Sequence, residues 1–142
     1  MIIKSLEKAY DGALRKKWDK LYIAIDVHDT IVVGNYKVDE LPKTFIGKAK
    51  ECLQYLTDRP DIVLIMYTCS HPIEIDKYIE YFKLHGIEFE HVNWNPEVPN
   101  NALGCYTDKF YFNILLDDKS GFEAETEWDI IFNFFYNKPI LK

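Results

Sequence analysis

The sequence predicts an α/β fold: a mostly parallel sheet of about five strands with helices on both faces, in a three-layer α/β/α arrangement. Three observations carry this expectation. Apolar runs without alternation at 21–25, 62–67 and 112–116 read as strands buried on both faces. Segments 5–20, 44–57 and 72–85 repeat apolar residues at helical spacing. Helix and strand alternate along most of the chain, which calls for crossover connections and therefore parallel neighbours.

Taken in order, 5–20 forms a helix with Leu6, Tyr10, Ala13, Leu14 and Trp18 on one stripe, and Arg15-Lys16-Lys17 suits its carboxyl end. The strand at 21–26 ends on Asp26, and a loop holding Gly34 and Asn35 follows at 33–41. A helix at 44–57 turns Phe45, Ala49, Cys52, Leu53 and Leu56 inward, and Arg59-Pro60-Asp61 breaks it. The strand at 62–67 meets Thr68-Cys69-Ser70, and Pro72 opens a helix that stops before Gly86. Ile75, Ile79, Phe82 and Lys83 mark its inner face. A strand at 88–92, a turn-rich stretch at 93–107 and a strand at 112–116 complete the sheet, with 130–132 either a short fifth strand or a helix.

A chain of 142 residues suits one domain over 1–142, with 1–20 as an N-terminal helical extension and 21–136 as the core. A hydrophobic fraction of 48% excludes a disordered chain. The net charge of −6 disfavours long nucleic acid, whose recognition rests on basic surface, without excluding it. Cys52, Cys69 and Cys105 form no Cys-x-x-Cys pair, so neither a zinc site nor a disulfide framework is expected, and a reducing cytoplasm fits. No stretch reaches the roughly 18 apolar residues of a membrane span, and the charged N-terminus has no signal-peptide core.

The chemistry is expected at the strand ends. Asp26, and Asp117 with Asp118 after 112–116, bring acid to the carboxyl edge of a parallel sheet, where ligands bind in open α/β folds. A hard divalent cation such as Mg²⁺ is the natural partner of such carboxylates. Thr68 offers a hydroxyl at another strand end, and Lys109 an ammonium just before 112–116. A carboxylate nucleophile, a cation, a hydroxyl and an ammonium make a kit for phosphoryl transfer.

These segments resemble, in order, the four motifs of the haloacid dehalogenase-like (HAD) hydrolases. Asp26-Val27-His28-Asp29-Thr30 is similar to the Asp-x-Asp-x-Thr motif, and Ile65-Met66-Tyr67-Thr68 to the strand ending in a hydroxyl residue. Lys109 stands for the motif lysine, and Leu115-Leu116-Asp117-Asp118, with Glu123 beyond, for the acidic fourth motif. The resemblance spans about 21–134 and is strongest, at 109–128, to small capless phosphatases of bacteria and phages. It implies a Rossmann-like core without a cap, since 31–43 and 93–108 are too short to fold as one. It also implies a Mg²⁺-dependent phosphomonoesterase working through an aspartyl-phosphate, with Asp26, His28 and Lys109 catalytic. Thr68, Cys69, Ser70 and Lys109 would bind phosphate, and Asp26, His28 (by its carbonyl), Asp117 and Asp118 the metal.

One position departs from the pattern: His28 stands where the family carries its acid/base aspartate, and Asp29, shifted by one, should point elsewhere. Histidine can serve there, its pKa lying near neutrality. The alternative is a non-catalytic or weakly active HAD-like binder of metal or phosphate. An open site suits a phosphorylated small molecule or the phosphorylated end of a macromolecule. A second copy of the chain could cover it, so a homo-oligomer stays open.

Overall fold

The computed structural model describes residues 2–37 and 40–142; Met1 and the middle of the loop expected at 33–41 lie outside the described residues. The elements are α1 (Ile2–Lys16), β1 (Leu21–Ile25), α2 (Ala49–Thr57), β2 (Ile62–Met66), α3 (Pro72–Leu84), β3 (His91–Val92), β4 (Ile114–Leu116) and α4 (Ala124–Tyr136), with a 3₁₀ turn at Asp118–Ser120. The four strands form one all-parallel sheet in the order β3-β2-β1-β4, consistent with a Rossmann-like fold. The expected fifth strand is absent from the described residues, because 130–132 lie inside α4. Among the described residues no helix is long and apolar enough to cross a membrane.

The sheet pairs Leu21 with Ile62 and Ile25 with Met66 on one side, and Ile23 with Ile114 on the other. Every residue of β2 is buried, as a central strand of a parallel sheet requires. One face of the sheet, formed by Leu21, Ile23, Ile25, Leu64, Met66, Ile114 and Leu116, shares a single core with the buried residues of all four helices. The three-layer expectation is therefore corrected: the helices lie on one face. The hand of the crossovers explains this. The steps β1-α2-β2 and β2-α3-β3 run in the same direction across the sheet, so right-handed connections put α2 and α3 on the same side. A helix between β3 and β4 would have covered the other side, but 93–113 is rich in Asn, Pro and Gly and forms none. That segment instead lays Tyr111 edge-on against Tyr22, and its Asn95 is buried with its amide donating to the Tyr111 carbonyl.

Helix boundaries also shift from expectation. Helix α1 ends at Lys16 because Lys17 turns left-handed (φ 59°) and the Trp18 N–H returns to the Ala13 carbonyl, which leaves Leu14 and Trp18 exposed. Residues 44–48 are not helical. Val32 and Phe45 form an antiparallel bridge, and Gly47 takes φ 51° against α4, where an added Cβ would meet the Glu125 carbonyl at 2.8 Å. Residues 31–33, beyond β1, therefore pair with 44–46, the Val33 N–H bonding to the Thr44 carbonyl at 2.8 Å and the Ile46 N–H to the Ile31 carbonyl at 2.9 Å. Trp128 of α4, fully buried, ties that segment down by donating its indole N–H to the Thr30 carbonyl at 2.7 Å.

Candidate active site

The chain enters β1 at the middle of the sheet, moves outward through β2 and β3, then crosses back to β4 on the other side of β1. The crevice outside the carboxyl ends of β1 and β4 is thus the topological switch point, where open α/β sheets bind ligands. Asp26 follows β1 directly, its N–H bonded to the Leu116 carbonyl at 2.9 Å, and Asp117 and Asp118 follow β4. One carboxylate oxygen from each of the three lies within 4.8 Å of the others. Sequence had placed these acids at one rim, and the parallel register brings them together.

Buried Thr30 joins the two strand ends. Its hydroxyl accepts the Asp118 N–H at 3.1 Å and lies 3.4 Å from an oxygen of both Asp26 and Asp118. Asp117 caps the 3₁₀ turn, one carboxylate oxygen accepting the Lys119 N–H at 2.9 Å. Burial, then the negative charge of Asp117 and the adjoining Asp118 carboxyl, push Asp26 up to about 7 from 3.8. Among the described residues no Lys or Arg pairs with any of the three. Three convergent carboxylates without a countercharge, one of them holding its proton to neutral pH, fit the donor set of a hard divalent cation.

His28 does not join the carboxylates; its Nε2 meets the Tyr78 hydroxyl of α3 at 2.5 Å, with the rings edge-on at 5.5 Å. Tyr78 is 1% exposed, and burial, with a contribution from Glu74, pushes its pKa up to about 12, so it keeps its proton. The backbone bonds beside His28 run from Asp29 N–H to the Val32 carbonyl and from Val32 N–H to the Val27 carbonyl, which bypasses the His28 carbonyl. The Asp29 carboxylate is engaged within its own loop. It accepts the Gly34 N–H at 2.9 Å and the Tyr36 hydroxyl, whose bond, ahead of the Gly34 one, lowers its pKa.

The hydroxyl segment lies beside His28. Thr68, Cys69, Ser70 and His71 share with His28, Tyr36, Glu74 and Tyr78 a cavity of about 430 Å³. Thr68 is held on both sides by Asn93, which accepts its N–H at 2.9 Å and donates to its carbonyl at 2.7 Å. The Thr68 hydroxyl also takes the Ser70 N–H at 3.1 Å, so much of its capacity is spent on the turn, whereas Cys69 is exposed. Lys109 forms no ion pair with the acids among the described residues. Its ammonium lies over the Phe112 ring at 5.9 Å, within a second hollow lined by Leu103, Tyr106 and Phe110. Sequence reasoning missed Asn93, Tyr36 and Tyr78. The 3.6-residue spacing from Ile75 through Tyr78 to Phe82 was a usable signal for the last.

No family model and no curated protein matches the chain. A solved structure from Bacteroides thetaiotaomicron, described as a conserved protein coded by a locus of that organism, is similar to it. The two share 25% identity at a TM-score of 0.63, over 84% of this chain and 93% of that one.

Proposed function

We propose that this chain is a HAD-like phosphohydrolase, a Mg²⁺-dependent phosphomonoesterase that works through an aspartyl-phosphate on Asp26. The observation that carries the reading is the convergence of Asp26, Asp117 and Asp118 within 4.8 Å at the switch point of a parallel sheet. A cation held there by these acids and the His28 carbonyl would neutralise charge on the phosphoryl oxygens. Asp26 supplies the carboxylate oxygen that attacks phosphorus as the ester P–O bond breaks. His28 delivers a proton to the departing oxygen from Nδ1, since Tyr78 occupies Nε2. The same nitrogen then takes a proton from the water that cleaves the acyl phosphate and restores Asp26. Ser70 and the exposed turn at Cys69 supply phosphate donors at the start of α3. The substrate is a phosphorylated small molecule or a phosphorylated macromolecular end, and three free cysteines suit a reducing cytoplasm.

Mg²⁺-dependent phosphate release from p-nitrophenyl phosphate tests the reading. Asp26→Asn should lower the rate by at least about a thousandfold, as expected for loss of a nucleophile. A wild-type protein silent across a broad phosphoester panel overturns it. A second reading, a non-catalytic metal or phosphate binder, draws on the engagement of His28 by Tyr78. It predicts that Mg²⁺ raises the melting temperature with no turnover.

A further inference from the structure

Tyr36 is 81% exposed, yet three separate features hold it. Its backbone is left-handed (φ 54°), a conformation a bulky residue rarely adopts. Its hydroxyl donates to Asp29, the acid shifted by one from the family pattern. Gly34 makes room for its ring, since a Cβ there would lie 3.2 Å from two ring atoms and 3.3 Å from Asp29 Oδ1. An exposed aromatic ring fixed in this way does nothing for the core. Strain that the surrounding structure maintains at a cavity edge is characteristic of ligand contacts.

The ring borders the cavity that also holds His28 and the 68–71 turn, with centroids 6.2 Å from the His28 ring and a mutual tilt of 31°. The cavity is joined to the acids through His28, two residues beyond Asp26. The tether holds the hydroxyl at the ring's edge and leaves the faces for stacking. Glu74 and Lys37 both line the space, so its charges are mixed and it is the ring of Tyr36 that distinguishes it. A cavity of about 430 Å³ accommodates a molecule the size of a nucleoside monophosphate.

We infer that Tyr36 is a stacking wall that sets specificity, and that the preferred substrate is a phosphomonoester whose non-reacting half is a planar aromatic ring. The inference rests on the phosphohydrolase reading for the reaction but not for the binding. It therefore has two readouts: KM of the wild type, and affinity of Asp26→Asn protein measured by NMR titration with Mg²⁺ present. The probes are adenosine 5′-monophosphate, phenyl phosphate and glycerol 3-phosphate. Both aromatic esters should bind better than the glycerol ester. Preference for the adenosine ester alone identifies a nucleobase as the stacked group, and equal preference for both identifies any aryl group.

Tyr36→Leu, which keeps bulk without a π face, should weaken the aromatic esters at least about fivefold more than the glycerol ester. Tyr36→Phe, which keeps the ring and loses the tether, should fall between and guards against a folding artefact. Equal loss for all three probes, or no aromatic preference in the unaltered pocket, overturns the inference even where turnover is found. Aromatic preference that depends on Tyr36 without turnover leaves the wall standing and removes the hydrolase reading.

Discussion

The two ends of the sheet handle buried charge in opposite ways. At the amino end, Arg59 and Asp61 are 5% and 1% exposed and meet in a two-pronged ion pair at 2.9 and 2.8 Å. The other guanidinium donors are taken as well. Arg59 also donates to the carbonyls of Phe135, Lys138 and Pro139 at 2.7, 3.1 and 3.2 Å, and Asp61 accepts the Leu141 N–H at 3.0 Å. At the carboxyl end, three acids gather with no Lys or Arg paired to them among the described residues. The first end closes the fold by fastening the C-terminal tail beneath α2 and β2. The second leaves its carboxylates facing one another without such a partner. A charge at a strand end is thus balanced or unbalanced according to whether the chain supplies its partner.

Breaking the amino-end pair should have the largest effect on stability. Arg59→Ala leaves Asp61 buried without its partner and should cost about 3–5 kcal/mol in urea unfolding. The double change Arg59→Met with Asp61→Leu should recover most of that loss, because no lone charge remains. A single mutant within about 0.5 kcal/mol of wild type would show that the tail is held by packing alone, and the comparison would fail at this end.

How far each end was legible follows from the same contrast. The acids after β1 and β4 could be read from the chain because each ends an apolar run, and parallel strands bring like ends together. The run at 62–66 was legible because burial on both faces demands unbroken apolarity. Arg59-Pro60-Asp61 read only as a helix breaker, since beyond their own pairing the Arg59 partners are carbonyls 76 to 80 residues away. Asn93 and Tyr78 were hidden for the same reason: each reaches across the fold, to Thr68 and to His28. The helix start at Ala49 depends on Gly47 lying against the carbonyls of α4, which no local pattern encodes. The single helical layer needed only the crossover rule applied to the strand order. The strand order itself is a tertiary fact.

The carboxyl end should answer to pH next most strongly. Asp26 holds its proton to about 7, so a cation binding there must displace it. Below pH 7 the apparent Mg²⁺ affinity should rise about tenfold per pH unit, flattening above 7 as the proton leaves on its own. Calorimetry in buffers of different ionisation heat counts that proton directly. Binding without proton release at pH 6 would mean that the cation sits elsewhere.

The smallest effect is the most discriminating, because one substitution should change sign between the two ends. Asp117→Asn removes a negative charge beside Asp26 while its amide oxygen still accepts the Lys119 N–H. In metal-free protein at pH 8 it should add roughly 1 kcal/mol of stability. The sign follows from linkage. Asp26 in the folded state titrates near 7, above its ordinary 3.8, so the folded chain binds that proton more tightly than the unfolded one. Its contribution to stability is full below about 4 and is lost as pH rises through about 7. Relief by Asp117→Asn should therefore be greatest above 7 and fade toward 4. Asp61→Asn should instead destabilise at pH 8, by about 2–3 kcal/mol, since it strips the charge from the Arg59 pair. Thermal unfolding in a chelator at pH 4, 6 and 8 separates the two cases. If both variants lose stability at pH 8, the three acids at the carboxyl end are already balanced within the chain, and no cation is called for there.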